Sequence, residues 1–246
     1  MSPLSVRPAA RLRLVLAAAS LAATALIAAG CAQSPTAPAP TGSGAPSASE
    51  QPSDGDVAAA WLDEGRSIAV VTQGSSTCIP VVKDATASGQ TITVTLEDPQ
   101  AKACTKDLVP RASFAQVPAG VDVTKEVEVK IAYGTVSGAT ALTGLAAAPT
   151  SAPDAMPNPV SSAGWFSDNG IALLTWGSSS CKPVIDKVEQ KDGGATVAFK
   201  TIDRVCTMDL GPRVTVIALD QPRSGSGDFT LTLTGDHLDG SVKVIG

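Results

Sequence analysis

Aromatic side chains are scarce in this chain, with three Trp, one Tyr and four Phe among 246 residues. Histidine is scarcer still: His237 stands alone. A sequence this poor in both argues against a His-rich metal centre and against a platform of stacked aromatics for nucleic-acid bases. Cations are also in deficit, since 18 Lys and Arg face 23 Asp and Glu for a formal charge of -5. Phosphate-backbone binding needs the opposite balance to release counterions, so no nucleic-acid partner is expected. Long apolar runs are absent as well. None reaches the roughly 18 residues from which a membrane-spanning helix is read.

What is present begins with a distinctive first segment. Arg7, Arg11 and Arg13 lead into an apolar run of 16 residues from Leu14 to Ala29, and residues 1–30 contain no acid. This is the layout of an export signal, too short for a comfortable anchor. The ending Leu26, Ile27, Ala28, Ala29, Gly30, Cys31 resembles the lipobox of bacterial lipoproteins. That resemblance implies cleavage before Cys31, lipidation of Cys31 and residence on the extracytoplasmic face of the cell membrane. Cys31 is also the odd one of five cysteines, which calls for a separate role. Removal of residues 1–30 leaves 15 Lys and Arg against 23 acids, a net charge of -8. Such a surface is not drawn to anionic headgroups, so attachment is expected through lipid, and two acyl chains hold a protein stably.

Residues 31–56 are built of Ser, Pro, Ala, Gly and Thr with almost nothing to bury. They read as a disordered stalk whose coil dimension is on the order of 25 to 30 Å. An internal repeat follows. Trp61 with Ile68–Val82 (IAVVTQGSSTCIPVV) returns as Trp165 with Ile171–Ile185 (IALLTWGSSSCKPVI), about 103 positions later. Cys104–Arg111 (CTKDLVPR) returns as Cys206–Arg213 (CTMDLGPR) at an offset of 102. Two matched blocks at nearly constant spacing define two homologous domains, 57–145 and 163–246, with an Ala, Pro and Ser-rich linker at 146–162 that permits independent motion.

The fold class follows from period-two patterning. Ile92, Val94 and Leu96 alternate with Thr; Val127, Val129 and Ile131 alternate with charged residues; Phe229, Leu231 and Leu233 alternate with Thr. Asp63-Glu64-Gly65 and Asp168-Asn169-Gly170 sit between short apolar runs and predict hairpin turns. A helical turn over Val57–Leu62 is discounted, because the aligned Ser161–Phe166 has no helical character. The expectation is an all-β chain of two small antiparallel sandwiches or barrels, about six strands each, resembling immunoglobulin-like modules in architecture only.

The remaining cysteines fall two per repeat, and the repeat selects the pairs Cys78 with Cys104 and Cys181 with Cys206. In an exported chain each is expected to be oxidised, contributing on the order of 3 to 4 kcal/mol by closing a loop of that size. Metal ligation would want closely spaced Cys or His pairs, which are lacking. No metal and no cofactor is expected.

Two blocks could carry chemistry. Ser75 and Ser76, like Ser178 and Ser179, precede the first disulfide cysteine of each repeat. A serine nucleophile needs a base and an oxyanion site, yet His237 has no counterpart in the first repeat and the Gly-x-Ser-x-Gly elbow is missing. Lys83 or Lys182 as partner base would require desolvation. The alternatives are a hydroxyl-rich loop that sets up the disulfide, or a backbone nest for an anion. In the second block Asp107 precedes Arg111 and Asp209 precedes Arg213. As structure, the Asp caps a turn, the following Leu enters the core and the Arg pairs with the Asp; as function, the Arg grips a carboxylate or sugar. Asp236, His237 and Asp239 offer too few oxygens for a calcium loop and read as a turn. Trp176, which replaces Gln73 between the copies, is either an exposed contact of the second domain or a half-buried sheet residue.

The whole pattern resembles secreted or lipid-anchored proteins of Ala-rich actinobacteria, a likeness that brings a location and no activity. The expected function is a lipid-anchored, non-enzymatic binding or adaptor module of the envelope. A serine hydrolase using Ser75 or Ser178, and an inhibitor of envelope proteases, are the alternatives.

Overall fold

The computed structural model describes residues 57–100, 103–150, 159–223, 225 and 227–246. The leader, Cys31, the stalk and residues 151–158 of the linker lie outside the described residues. The described chain is all-β, with a single 3-10 turn at Asp63–Gly65 and no α-helix. Among the described residues no helix is long and apolar enough to cross a membrane.

Each repeat contributes seven strands, one more than the turn signals predict. The first has β1 (Val57–Leu62), β2 (Ser67–Gly74), β3 (Val81–Ser88), β4 (Thr91–Glu97), β5 (Val109–Gln116), β6 (Val127–Tyr133) and β7 (Val136–Leu142). The second has β8 (Ser162–Ser167), β9 (Gly170–Gly177), β10 (Ile185–Lys191), β11 (Gly194–Phe199), β12 (Gly211–Ala218), β13 (Phe229–Thr234) and β14 (Gly240–Ile245). Val57–Leu62 is thus a strand, and the chain reverses after it at the Asp-Glu-Gly turn, pairing Leu62 with Ser67. The equivalent reversal pairs Ser167 with Gly170.

In the first repeat β1-β2-β5 form one sheet and β3-β4-β6-β7 the other. The same pairings recur in the second repeat, where Val244↔Ala163 and Ile245↔Gly164 join β14 to β8 and merge both sheets into one of seven strands. The expectation of wholly antiparallel sheets fails at one equivalent place in each copy and again at the β14–β8 junction, which is parallel. β4 runs parallel to β6, and β11 to β13. The cause is β5 (and β12), which leaves for the other sheet; the chain then returns to enter beside β4 in the same direction, as a crossover connection does.

Each repeat encloses one core between its β1-β2-β5 strands and its β3-β4-β6-β7 strands, or their counterparts in the second copy. Trp61, Ile68 and Val70 from one sheet meet Ile92, Val94, Val129 and Ile131 from the other; Trp165, Ile171 and Leu173 meet Val197, Phe229, Leu231 and Leu233. The alternating strands β4, β6 and β13 keep their Thr or charged faces outward, as period two requires. β2 and β9 are different: IAVVT and IALLT are buried without interruption. Such a run belongs to a strand covered on both faces.

The second cover is the other repeat. Ala60, Leu62, Ala69, Val71 and Ala112 pack against Ala172, Leu174 and Val214 in a third buried cluster. Homologous strands face one another there, β1 on β8 and β5 on β12. The backbones come close because the contact residues are small. A Cβ built on Gly164 would sit 2.0 Å from the Trp61 carbonyl oxygen, so this position admits only glycine. Asp63 N–H donates to Ser162 Oγ at 2.9 Å across the same seam. Independent motion of the repeats, which the linker composition permits, is excluded by this shared core.

Candidate functional site

β2 ends at Gly74 and β9 at Gly177, and the chain then turns tightly toward the first disulfide cysteine. Cys78 N–H donates to Ser75 O (3.3 Å) and Cys181 N–H to Ser178 O (3.2 Å). The disulfides Cys78–Cys104 and Cys181–Cys206, with Cα separations of 5.5 and 5.7 Å, tie this turn to the segment leading into β5 or β12. β5 is also tied to the residue before β3 by Ser113 Oγ, which donates to Pro80 O at 2.6 Å.

The hydroxyls form a small closed network, drawn twice. Ser75 Oγ meets Thr105 Oγ1 at 2.8 Å and Thr77 Oγ1 at 3.2 Å, while Thr105 N–H donates to Thr77 Oγ1 at 3.0 Å. In the second repeat Ser178 Oγ meets Thr207 Oγ1 at 2.7 Å and Ser180 Oγ at 3.1 Å, while Thr207 N–H donates to Ser180 Oγ at 3.0 Å. A carboxylate anchors each network. Asp107 accepts Ser76 N–H on both oxygens (3.2 and 3.3 Å) and the Thr105 hydroxyl; Asp209 does the same with Ser179 and Thr207. Hydrogen bonds from Ser76 and then Thr105 hold the Asp107 pKa down to about 2, and those from Ser179 and Thr207 do so for Asp209. Asp107 and Asp209 therefore cap the serine turns, as the sequence suggests.

The rest of that block departs from expectation. Leu108 and Leu210 do not enter the core; they are 77% and 66% exposed. Arg111 and Arg213 do not pair with the neighbouring aspartates, whose oxygens are already taken by the serine turn. Both arginines point inward from β5 and β12 and are 8% exposed. Arg111 donates to Cys78 O from Nη1 and to Thr72 Oγ1 from Nε (3.4 Å), with its guanidinium over the Tyr133 ring at 5.6 Å. Arg213 donates to Cys181 O from Nη1 (2.9 Å) and to Trp176 O from Nη2 (3.0 Å). Among the described residues its Nε–H is buried without a partner. Burial pulls the Arg213 pKa below its ordinary value, and the Asp236 carboxylate opposes this. A Cβ built on Gly74 or Gly177 would lie 2.5 or 2.7 Å from the guanidinium carbon, so these glycines make room for the arginines. Each Arg is a strut beneath a disulfide, and neither is a fork open to a ligand.

Among the described residues no His, Lys or carboxylate hydrogen-bonds to Ser75 Oγ or Ser178 Oγ, although burial lowers the Lys182 pKa. The hydrogen-bond partners of Ser75 Oγ and Ser178 Oγ are hydroxyls, together with the Thr77 N–H on Ser75. Asp236 and Asp239 accept from Ile202 N–H (3.3 Å) and Gly235 N–H (3.1 Å), so that segment is a turn. No group of three or more His, Cys, Asp or Glu suited to a metal occurs among the described residues. Trp176 is half-buried and set edge-on to Phe114, with ring centres 6.3 Å apart, inside the contact between repeats. It is not a free surface contact. Sequence reasoning passed over Thr105 and Thr207, which tie serine turn to aspartate; their recurrence in CTKDL and CTMDL is the signal that could have found them.

Four concavities of about 190 to 640 Å3 lie elsewhere on the described surface, and none is lined by Ser178, Arg213 or Trp176. The disulfide loop of the second repeat instead presents bare apolar side chains: Val205 and Met208 are almost wholly exposed. No family model matches the chain, and no curated protein or solved structure is significantly similar to it.

Proposed function

We propose that this chain is a lipid-anchored envelope protein whose paired β modules serve as a non-enzymatic binding or adaptor unit outside the membrane. The observation that carries the reading is the duplicated serine turn. In both copies the tempting nucleophile is consumed in bracing a disulfide, and a catalytic apparatus would not need to be built twice in that form. The lipobox-like ending at Cys31 and the Ser, Pro and Ala-rich residues 31–56 support attachment and display at a distance from the bilayer. Exposed Val205, Met208 and Leu210 support contact with a partner, since large bare apolar groups close together mark interaction surfaces.

Each repeat is read here as a small sandwich closing toward a barrel, with the disulfide and the arginine strut at its open seam. One core enclosed by two layers of strands in each copy, joined through β14 and β8 in the second, supports this. The parallel pair in each copy separates it from the antiparallel immunoglobulin pattern.

The test has two parts. Intact mass of the membrane-extracted protein should show residues 1–30 removed and Cys31 lipidated. Crosslinking in living cells should recover an envelope component that a stalk-only control does not. A chain that keeps its leader unmodified, or labelling of Ser75 or Ser178 by a fluorophosphonate probe, would overturn the proposal.

A further inference from the structure

The two repeats meet face to face with homologous strands opposed, so each contact at one end of the interface has a counterpart at the other. The Phe114–Trp176 contact is one such pair. By the repeat alignment Trp176 corresponds to Gln73 and Phe114 to Val216. At one end, then, an indole and a phenyl ring fill the space between β9 and β5. At the other, the same strands of the opposite repeats carry Gln73 and Val216. There the seam opens into a cavity of about 310 Å3.

We propose that this cavity is a binding site for a small, neutral, planar aromatic molecule of indole or phenol size. Four observations carry it. The volume lies at the lower end of the range of roughly 300 to 1,000 Å3 typical of ligand pockets. The wall is apolar where it is deepest, with Val57 and Val71 buried and Phe166, Pro110 and Val216 around them. The polar groups are uncharged: the amides of Gln73 and Asn169 and the hydroxyl of Ser167 border it, suited to one N–H or O–H on a ring, and among the described residues no charged side chain lines it. Finally, the chain itself shows the fit, because the homologous space at the far end is occupied by the indole of Trp176. The site is framed by the ends of strands in two sheets locked by a shared core, so it is held open without a ligand.

This inference deepens the binding reading and rests on it, but not on lipid attachment. Indole is the probe, added to the full-length mature chain and followed by amide NMR shifts. Saturable binding is expected, with the shifts concentrated at Val71, Phe166 and Gly170. Gln73→Trp supplies the missing indole from within and should weaken binding at least about tenfold, with a raised Tm. Val216→Phe should act in the same direction and serves if the first variant does not fold. Trp176→Gln opens the far end and should take the stoichiometry from one indole to two. Absence of saturable binding to the wild-type chain, or binding that both filling variants leave unchanged, would overturn the site. Those results leave the crosslinking outcome untouched, so the two failures are distinguishable.

Discussion

Arg111 and Arg213 occupy equivalent places beneath equivalent disulfides, yet their surroundings differ. The Arg111 guanidinium has an aromatic face above it, supplied by Tyr133, and a hydroxyl on its Nε. In the second repeat the place of Tyr133 is taken by Gly235, and the Arg213 Nε–H is left without a partner among the described residues. On the adjacent strand Leu96, which pairs with Tyr133, corresponds to the larger Phe199, and a Cβ on Gly235 would lie 2.5 Å from the Phe199 carbonyl oxygen. Neither the side-chain volume nor the polar detail around the arginine is thus conserved across the duplication. The comparison teaches that the strut is the part both copies require, and that what surrounds it is free to drift.

The largest effect tests whether the copies are independent at all. Replacing Cys78 and Cys104 by Ala, or Cys181 and Cys206 by Ala, removes a closed loop of 26 or 25 residues and should cost about 3 to 4 kcal/mol in either case. Because the repeats share a buried cluster, denaturant unfolding of either variant should remain a single transition at a lower midpoint. Two separated transitions would show that the interface does not couple them.

Next in size is the strut itself. Arg111→Met should destabilise by about 2 to 3 kcal/mol, since it strands the Cys78 carbonyl and removes charge-assisted hydrogen bonds. Arg213→Met should destabilise less, by about 1 kcal/mol, because it also relieves a buried N–H that has no acceptor. Equal losses, measured by chemical denaturation, would mean that the difference in surroundings has no energetic consequence.

The serine turns predict a pH response shared by both copies. Asp107 and Asp209 have folded pKa values of about 2, against an ordinary 3.8, so the folded state binds protons less readily than the unfolded chain. Their stabilisation is complete above about pH 4 and is lost as pH falls toward 2. Asp122, held down to about 2 by Lys125 and then Thr124, contributes in the same direction in the first repeat. Acid titration of Tm should therefore fall most steeply between pH 4 and 2. The double variant Asp107→Asn, Asp209→Asn should flatten most of that slope, leaving the part due to Asp122 and to Glu189, whose carboxyl the Lys187 ammonium holds below its ordinary value.

Much of this arrangement is legible in the residues. The disulfide pairs, the turn at Asp63–Gly65 and the alternating strands β4, β6 and β13 follow from spacing and period, because local geometry sets them. The interface does not announce itself by alternation. Its signature is the unbroken IAVVT and IALLT of β2 and β9, which length alone does not distinguish from any buried strand. The arginines misled for a related reason: a charged residue three or four places from an aspartate invites pairing, and only the topology, which turns β5 inward over the cysteine carbonyl, reassigns it. Crossover of β5 between sheets is a non-local event, and so the parallel pairs were not foreseeable from any single segment.

The smallest effect lies at the first reversal of each repeat, where a difference of one residue has a physical trace. Six residues separate Trp61 from Ile68, whereas five separate Trp165 from Ile171. The longer turn is accommodated by placing Asp63 and Glu64 at φ of 50° and 56°, while Asp168 and Asn169 keep negative φ. Asp63 is committed there: its carboxylate receives the Arg66 guanidinium at 2.5 Å and both are buried, so changing it would break the pair. Glu64 is exposed and has only its backbone geometry to answer for. Glu64→Gly should raise stability by a few tenths to about 1 kcal/mol, the left-handed cost removed less the added freedom of glycine in the unfolded chain. Asp168→Gly, at the matching turn, relieves nothing and should lower stability slightly. If both substitutions move the unfolding midpoint in the same direction, the extra residue of the first repeat is not stored as backbone strain.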